Sequence, residues 1–127
     1  MNQLRPPPRS PNCVSSQADR SDRVHWVAPL PLHGDRATAI DRLVALIAQL
    51  PRTALVERTD AYARFTFTTR LVGSVDDVEL LVHPTEPRVD VRSASRVGWG
   101  DLGTNRRRVE ALRAAWIQAD LGSSAAR

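Results

Sequence analysis

Three consecutive arginines, Arg106 to Arg108, follow a glycine-rich turn and begin the last helical pattern of the sequence. A helix N-terminus carries about half a positive charge and therefore favours anions over arginine side chains. Successive helical residues lie about 100° apart, so the three guanidinium groups cannot share one face. We expect one or two of them to bind Asp76, Asp77 or Asp101. The others, with the free helix N–H groups, would form an anion-binding patch.

Two serines extend this polar region along a predicted strand. Ser93 and Ser95 continue the face that Val89 and Val91 begin, and they precede a turn that contains Trp99 and three glycines. We expect these side chains to meet near the start of the last helix. A solvated basic turn with salt bridges and a catalytic site are the alternatives. The candidate binding residues are Asp76, Arg92, Ser93, Ser95, Arg96, Asp101, Asn105 and Arg106.

Cys13 is the only cysteine, so the chain cannot form an internal disulfide. A cysteine nucleophile needs a base that lowers its pKa, and none of the three histidines lies in a recognisable hydrolase motif. Cys13 is therefore a weak catalytic candidate, and an anchor for the N-terminal segment is the alternative. Strand alternation separates Asp76 from Asp77 and Glu79. We predict no metal site and no cofactor.

Composition limits the possible partners. The 127 residues carry a net charge of +4, and all 18 basic residues are arginines. Arginine binds phosphate and carboxylate in bidentate fashion, although a GC-rich genome would produce the same bias. Aromatic residues make up only 5%, and no nucleic-acid-binding motif is present. We therefore expect an anionic small molecule or an acidic protein as partner, and no clear nucleic acid.

No signal peptide is visible in the N-terminal residues, which contain the proline-rich stretch RPPPRSP. The longest apolar-rich run, Ala37 to Leu50, is too short and too charged to span a bilayer. We therefore predict a cytoplasmic protein without a membrane span.

Periodicity predicts the elements that position these residues. Val24–Leu30 predicts a first, edge strand, and Asp35 is the expected N-cap of a helix from Arg36 to Leu50. Four more strands follow within residues 53–61, 62–72, 75–83 and 88–97. A final helix is predicted from Asn105 to Leu121, with Gly122 as its end. Its expected buried side contains Val109, Leu112, Trp116 and Ala119.

Two turns give the registers of the predicted strands. If Gly73-Ser74 is a two-residue hairpin turn, Val72 faces Val75, and Arg70 faces Asp77. The same turn places Phe67 opposite Leu80 and Phe65 opposite Val82. If the turn PTEP closes the next hairpin, Leu80 faces Val91, Val82 faces Val89, Glu79 faces Arg92, and Ser95 faces Asp76. Both registers place apolar residues on one face and opposite charges on the other.

We therefore predict an α+β fold: an antiparallel sheet of about five strands, with two helices packed on one face, in the order β-α-β-β-β-β-α. The predicted organisation is an extended, partly disordered N-terminal segment (1–23), a single α+β domain (24–122) and a tail (123–127).

Three motifs resemble one known family. They are SPNCVSS near the start, VDDVE in the middle and VRSASRVGWGDLGTNRRRVEALR near the end. Together they resemble domain of unknown function 1499, a bacterial and plastid family. The resemblance implies a small domain without an agreed activity, often located in the envelope or in plastids. It also suggests that the NCVSS segment folds back beside the RSASR strand to complete one polar surface.

The function expected from the sequence is a small binding or interaction module. Its polar arginine and serine site would hold an anionic ligand or an acidic partner. A thiol-dependent enzyme that uses Cys13, and a structural subunit of a membrane-associated complex, are the alternatives.

Overall fold

The computed structural model describes residues 3–70, 73–98 and 103–125, with side chains up to residue 120. A short 3-10 helix, Arg36–Thr38, leads into the first α-helix. Asp35 is the N-cap of this 3-10 helix, and its side chain accepts a hydrogen bond from the backbone N–H of Ala37. Within the described residues, the elements are β1 (Cys13–Ser15), β2 (Leu30–Pro31), α1 (Ala39–Ala48), β3 (Thr53–Arg58), β4 (Tyr62–Thr68), β5 (Val75–Val82), β6 (Arg88–Ser95) and α2 (Thr104–Ala125).

The strands form one antiparallel sheet in the order β1-β6-β5-β4-β3, and β2 also pairs with β6. The predicted fold class, α+β with an antiparallel sheet and two helices, is confirmed. One face of the sheet packs against α1 and α2, and we call it the inner face. Its apolar residues and those of the helices form the main core: Val14, Ala63, Phe65, Val78, Leu80, Val89 and Val91 from the strands, and Ile40, Leu43, Ile47, Val109, Leu112 and Trp116 from the helices.

The opposite, outer face of the sheet is partly covered by the N-terminal residues. Leu4 is buried there against Tyr62 and Leu81, and its backbone N–H donates to Oε1 of Gln17 at 2.8 Å. This small second apolar cluster holds the extended segment on the sheet. The proposed division at residue 23 remains a prediction, although β1, within that segment, is a strand of the sheet.

The register predicted for β5 and β6 is confirmed. Leu80 pairs with Val91, Val82 with Val89, Glu79 with Arg92, and Asp76 with Ser95. The fold-back of the NCVSS segment is also confirmed, since Cys13 pairs with Ala94 and Ser15 with Arg92.

The register predicted for β4 and β5 is wrong by four residues, because Val75 pairs with Thr68; Val72, its predicted partner, lies outside the described residues. The connection is longer than a two-residue turn: Thr69 and Ser74 close it through a backbone hydrogen bond of 2.8 Å and a contact of 2.8 Å between their hydroxyls. Phe65 therefore lies opposite Val78, and Asp77 lies opposite Thr66 rather than Arg70. Because the shift is an even number, every side chain still lies on its predicted face.

The prediction of a first strand at Val24–Leu30 is also wrong. Only Leu30–Pro31 is a strand, paired with Val89 and Arg88, and Trp26 makes an isolated bridge to Ser15. β1 occupies the edge of β6 beside Arg92, Ser93 and Ala94. The run from Val24 to Ala28 therefore lies next to β1 rather than β6.

The last helix continues beyond its predicted end at Gly122, through Ala125. Glycine within a helix is unfavourable by about 1 kcal/mol relative to alanine, which does not force a helix to end. Of its predicted buried residues, Val109, Leu112 and Trp116 are buried, whereas Ala119 is exposed.

Candidate functional site

A buried polar network lies on the inner face where β5 and β6 meet the start of α2. A carboxylate oxygen of Asp76 lies 2.7 Å from Nη1 of Arg108; the Asp76 side chain is almost fully buried, and the Arg108 side chain is 13% exposed. Ser93 donates a hydrogen bond to Oδ1 of Asn105 at 2.6 Å, and Arg108 donates to the same oxygen at 3.0 Å. The predicted meeting of Asp76, Ser93 and Asn105 therefore occurs in the structure.

The network also holds the N-terminal segment. Nδ2 of Asn105 donates to Oγ of Ser95 at 2.9 Å and to the backbone oxygen of Asn12 at 3.1 Å. The side chain of Asn12 donates in turn to the backbone oxygen of Gly98 at 2.5 Å. Buried polar groups need such partners, because an unpaired one costs about 1–3 kcal/mol. These residues therefore fasten β1 to β6 and to α2.

The three arginines at the start of α2 have three different environments. Arg108 binds Asp76, as one of them was expected to do, and its guanidinium lies 5.2 Å from the centre of the Phe67 ring. Arg106 donates to the backbone oxygens of Arg23 and Val24 at 3.3 and 3.2 Å. Arg107 is exposed. The expected partner Asp101 lies outside the described residues.

Arg92 and Arg96 lie apart from this network, on the outer face. Nη1 of Arg92 is 3.4 Å from a carboxylate oxygen of Glu79, and the hydroxyl of Tyr62 donates to the other oxygen at 2.7 Å. Burial, together with the hydrogen bond to Glu79, raises the pKa of the Tyr62 hydroxyl. All three side chains are buried.

Arg96 makes two hydrogen bonds to Asp77, at 2.9 and 3.1 Å. These bonds lower the pKa of the Asp77 carboxyl, because Arg96 stabilises its charged form. Half of the Arg96 side chain remains exposed. The seven candidate binding residues that the structure describes thus do not form a single site. Arg96 is the exposed side chain among them, and Ser95 and Arg106 are half-buried.

An open cavity of about 590 Å³ lies on the outer side, between the N-terminal residues and the start of β6. Two arginines, one histidine and two serines contribute to its wall, and none of its described lining residues is an aspartate or a glutamate. The lining residues are Gln3, Leu4, Arg5, Pro6, Ser15, Ser16, Gln17, His83 and Arg88. We call this the basic cavity.

The basic cavity has a fixed hydrogen-bonding pattern. Nδ1 of His83 accepts hydrogen bonds from the backbone N–H groups of Thr85 and Glu86, at 3.1 and 2.9 Å. The ring proton therefore lies on Nε2, which makes the imidazole a hydrogen-bond donor. Arg5 is exposed and makes no ion pair within the described part of the chain.

A buried carboxylate organises the wall behind the cavity. Asp90 accepts hydrogen bonds from Ser16 at 2.8 Å and from the Gln17 amide at 3.1 Å, and Nε of Arg88 lies 3.3 Å away. These contacts satisfy its charge and fix the orientation of the serine. The sequence indicated Ser15 and Ser16 through the NCVSS motif, whereas no local pattern indicated Arg5 or His83, which come from distant segments.

A second cavity, of about 700 Å³, lies between α1 and α2. Both basic and acidic side chains line it: His33 and Arg42 are the basic residues, and Asp35 and Asp120 are the acidic ones. Arg42 stacks on Trp116 at 5.1 Å from the ring centre. This mixed wall favours no particular class of ligand.

Cys13 is fully buried, and its sulfur lies 3.8 Å from the backbone oxygen of Val14. A role as nucleophile would require β1 to leave the sheet, so the thiol-dependent alternative remains a prediction. Among the described residues, no group of three histidine, cysteine, aspartate or glutamate side chains could hold a metal ion.

His25 makes the stability of this region dependent on pH. Its Nδ1 lies 2.7 Å from Asp22 and its Nε2 lies 2.9 Å from the backbone oxygen of Ser10. Both neighbours are acceptors, so only the doubly protonated ring satisfies both. Burial opposes the charge of His25, but the bonds to Ser10 and Asp22 outweigh it and raise its pKa.

The raised pKa means that the folded protein holds this proton more tightly than the unfolded chain. His25 should therefore contribute stability fully below about pH 6.5, and that contribution should be lost as the pH rises through the higher pKa of the folded state. Urea unfolding from pH 5.5 to 8.5 measures this loss. The decline should be shallower in His25→Gln, and an unchanged pH profile in that variant would contradict the assignment.

The family model described as Protein of unknown function (DUF1499) matches residues 3–116 of the chain. No curated protein and no solved structure matches it. In the described part of the chain, every helix is too short or too polar to cross a lipid bilayer.

Proposed function

The chain belongs to the family of proteins of unknown function DUF1499, and on that premise we propose that it is a binding module for a small anionic ligand, held in the basic cavity. One observation carries the proposal. The described residues that line this cavity present guanidinium, imidazole and hydroxyl groups, and the neighbouring carboxylates of Asp90 and Glu86 are already paired with Arg88. The buried network on the inner face, which contains four of the eight candidate residues from the sequence, supports the fold, so we place the ligand in this accessible cavity.

The groups of the basic cavity suit a phosphate or a carboxylate. The guanidinium of Arg5 offers paired N–H donors in a planar fork, a geometry that matches both anions. His83 adds an N–H donor at Nε2, because its Nδ1 already accepts hydrogen bonds from two backbone N–H groups. A hydrogen bond to a charged group contributes about 1.5–3 kcal/mol, so a few such bonds are enough for specific binding of a small anion.

The buried network supports this site indirectly. Asn105 binds the backbone of Asn12, which precedes β1, and Ser16 binds the backbone of Val91 through both its N–H and its hydroxyl. These bonds fix the end of β1 beside β6. The hydroxyls of Ser15 and Ser16 therefore have defined positions in the wall of the cavity, which reduces the entropy lost when a ligand binds.

The test is a titration of the ¹⁵N-labelled protein with inorganic phosphate, followed by NMR. We expect saturable shifts of the backbone signals of residues 4–6, 15–17 and 83–88, which line or border the cavity. Arg5→Gln should weaken this binding about 10-fold, because it removes a charge-assisted contact.

Arg58→Gln is the matched control, since it removes the same charge from an exposed side chain on β3 and should leave the phosphate affinity unchanged. Shifts that do not saturate, or an equal loss of affinity in both variants, would show that the anion is not held in the basic cavity.

A further inference from the structure

One end of the sheet carries a broad, positively charged surface that is separate from the basic cavity. Backbone hydrogen bonds join the chain segments at this end of the sheet. The backbone N–H of Thr68 donates to the backbone oxygen of Arg52 at 3.0 Å, and the backbone N–H of Arg96 donates to that of Val75 at 3.2 Å. The start of α2 joins the same end through the bonds from Arg106 to Arg23 and Val24. We call this the arginine end; its arginines are Arg9, Arg23, Arg52, Arg70, Arg96, Arg106 and Arg107.

Most of this charge is not neutralised. Arg9, Arg23, Arg52 and Arg70 are exposed, and none of them makes an ion pair within the described residues. Three acidic residues in the described part of this end already have partners: Asp76 binds Arg108, Asp77 binds Arg64 and Arg96, and Asp22 binds His25. The opposite end of the sheet is mixed in charge, with Asp35, Asp60 and Glu86 beside Arg36 and Arg88.

Two exposed valines lie among these arginines. Val97 is 73% exposed and follows Arg96, and Val24 is 51% exposed and follows Arg23. Contact with water is unfavourable for such side chains, and a charged surface alone does not require them. Exposed apolar side chains surrounded by basic residues are typical of a surface that lies on a lipid bilayer, where arginines contact headgroups and the apolar groups enter the boundary with the acyl chains.

We propose that the arginine end docks on the surface of a bilayer that contains anionic lipids. The guanidinium groups lie on at least five chain segments spread over one end of the sheet, and in the described residues they do not converge on a cavity. This distribution suits many separate lipid phosphates better than one enclosed ligand. The exposed valines favour a bilayer over a nucleic acid or a uniformly charged acidic protein, because a bilayer offers an apolar layer directly beneath its charges.

The experiment measures co-sedimentation of the full chain with vesicles of phosphatidylcholine alone and of phosphatidylcholine mixed with phosphatidylglycerol. We expect binding to the mixed vesicles only, and weaker binding as salt is added. Arg52→Glu should lower the partition coefficient about 10-fold, since each basic residue near an anionic surface contributes about fivefold and the variant reverses a charge. Arg70→Glu should act similarly.

Arg58→Glu is the matched control, because Arg58 ends the same strand that Arg52 precedes and the net charge of both variants is the same. It should bind the mixed vesicles like the wild-type protein. Val97→Ser should lower vesicle binding about threefold through lost apolar burial, without a change in binding to soluble poly-glutamate.

Three results would overturn the proposal: no preference for phosphatidylglycerol, an equal loss in Arg58→Glu, or binding to poly-glutamate with none to vesicles, which would assign the arginine end to an acidic protein. The vesicle assay involves neither Arg5 nor phosphate. A negative result in it would therefore not contradict the proposed binding of an anion in the basic cavity.

Discussion

Replacing Asp76 by asparagine is expected to lower the free energy of unfolding by about 3–5 kcal/mol. Asparagine keeps the shape of the side chain but removes the charge that faces Arg108 at 2.7 Å. The guanidinium would then remain buried without a counter-charge, and burial of an unpaired charge is among the largest unfavourable terms in folding. Small domains are stable by only about 5–15 kcal/mol, so this variant should approach the limit of folding. Urea unfolding followed by circular dichroism measures the change.

Asp41→Asn is the matched control. Asp41 also binds an arginine, Arg58, but its side chain is 68% exposed, and exposed pairs contribute about 0–1 kcal/mol. A loss below 1 kcal/mol in Asp76→Asn, similar to that of the control, would mean that water reaches the pair and that the network is not a structural anchor. Loss of the Asp76 pair should also weaken phosphate binding if the network positions β1.

The residues of this network could be found in the sequence because two regular features determine their positions. The alternation along β5 and β6 places Asp76, Ser93 and Ser95 on one face, and the turn at residues 84–87 sets the pairing of Asp76 with Ser95. The pattern could not give the number of partners each side chain has. Asn105 forms hydrogen bonds within the protein to Ser93, Ser95, Asn12 and Arg108. The residues that resembled a ligand site in the sequence therefore join β1, β6 and α2 in the structure.

The errors have local physical causes. The connection between β4 and β5 is closed by the side chains of Thr69 and Ser74, a contact that the glycine-serine turn signal does not contain. β1 has three residues and lies in a serine-rich segment, too short for any periodicity. The basic cavity draws its wall from residues 3–6, 15–17 and 83–88. Such a site depends on how the N-terminal segment crosses the outer face, and tertiary contacts decide that path.

Loss of the Glu79 carboxylate is the second change expected to have a large effect. Glu79→Leu should lower the free energy of unfolding by about 3–5 kcal/mol, because it leaves Arg92 buried on the outer face without its counter-charge. Arg92 has little alternative bonding: its Nε has no hydrogen-bond partner in the described structure, and its Nη2 reaches the backbone oxygen of Pro6 at 3.5 Å. The hydroxyl of Tyr62 loses its acceptor as well.

A double variant separates the charge from the packing. Glu79→Leu combined with Arg92→Met replaces both charges by apolar groups, so it should recover most of the stability that Glu79→Leu alone loses. Tyr62→Phe, which removes one hydrogen bond to a charged group, should lower the free energy of unfolding by about 1.5–3 kcal/mol. Urea unfolding of the four proteins measures these differences, and a double variant no more stable than Glu79→Leu would contradict the explanation by buried charge.

The same variants test whether the outer ion pair holds the N-terminal segment. Arg92 is the polar contact of the sheet with Pro6, while Leu4 is anchored separately by Tyr62 and Leu81. Loss of Arg92 should therefore make residues 5–9 more accessible to proteolysis, with Leu4 still in place, and should weaken phosphate binding through displacement of Arg5. Unchanged proteolysis in Arg92→Met with Glu79→Leu would contradict this role of the ion pair, and would mean that the apolar contacts of Leu4 and its hydrogen bond to Gln17 hold the segment.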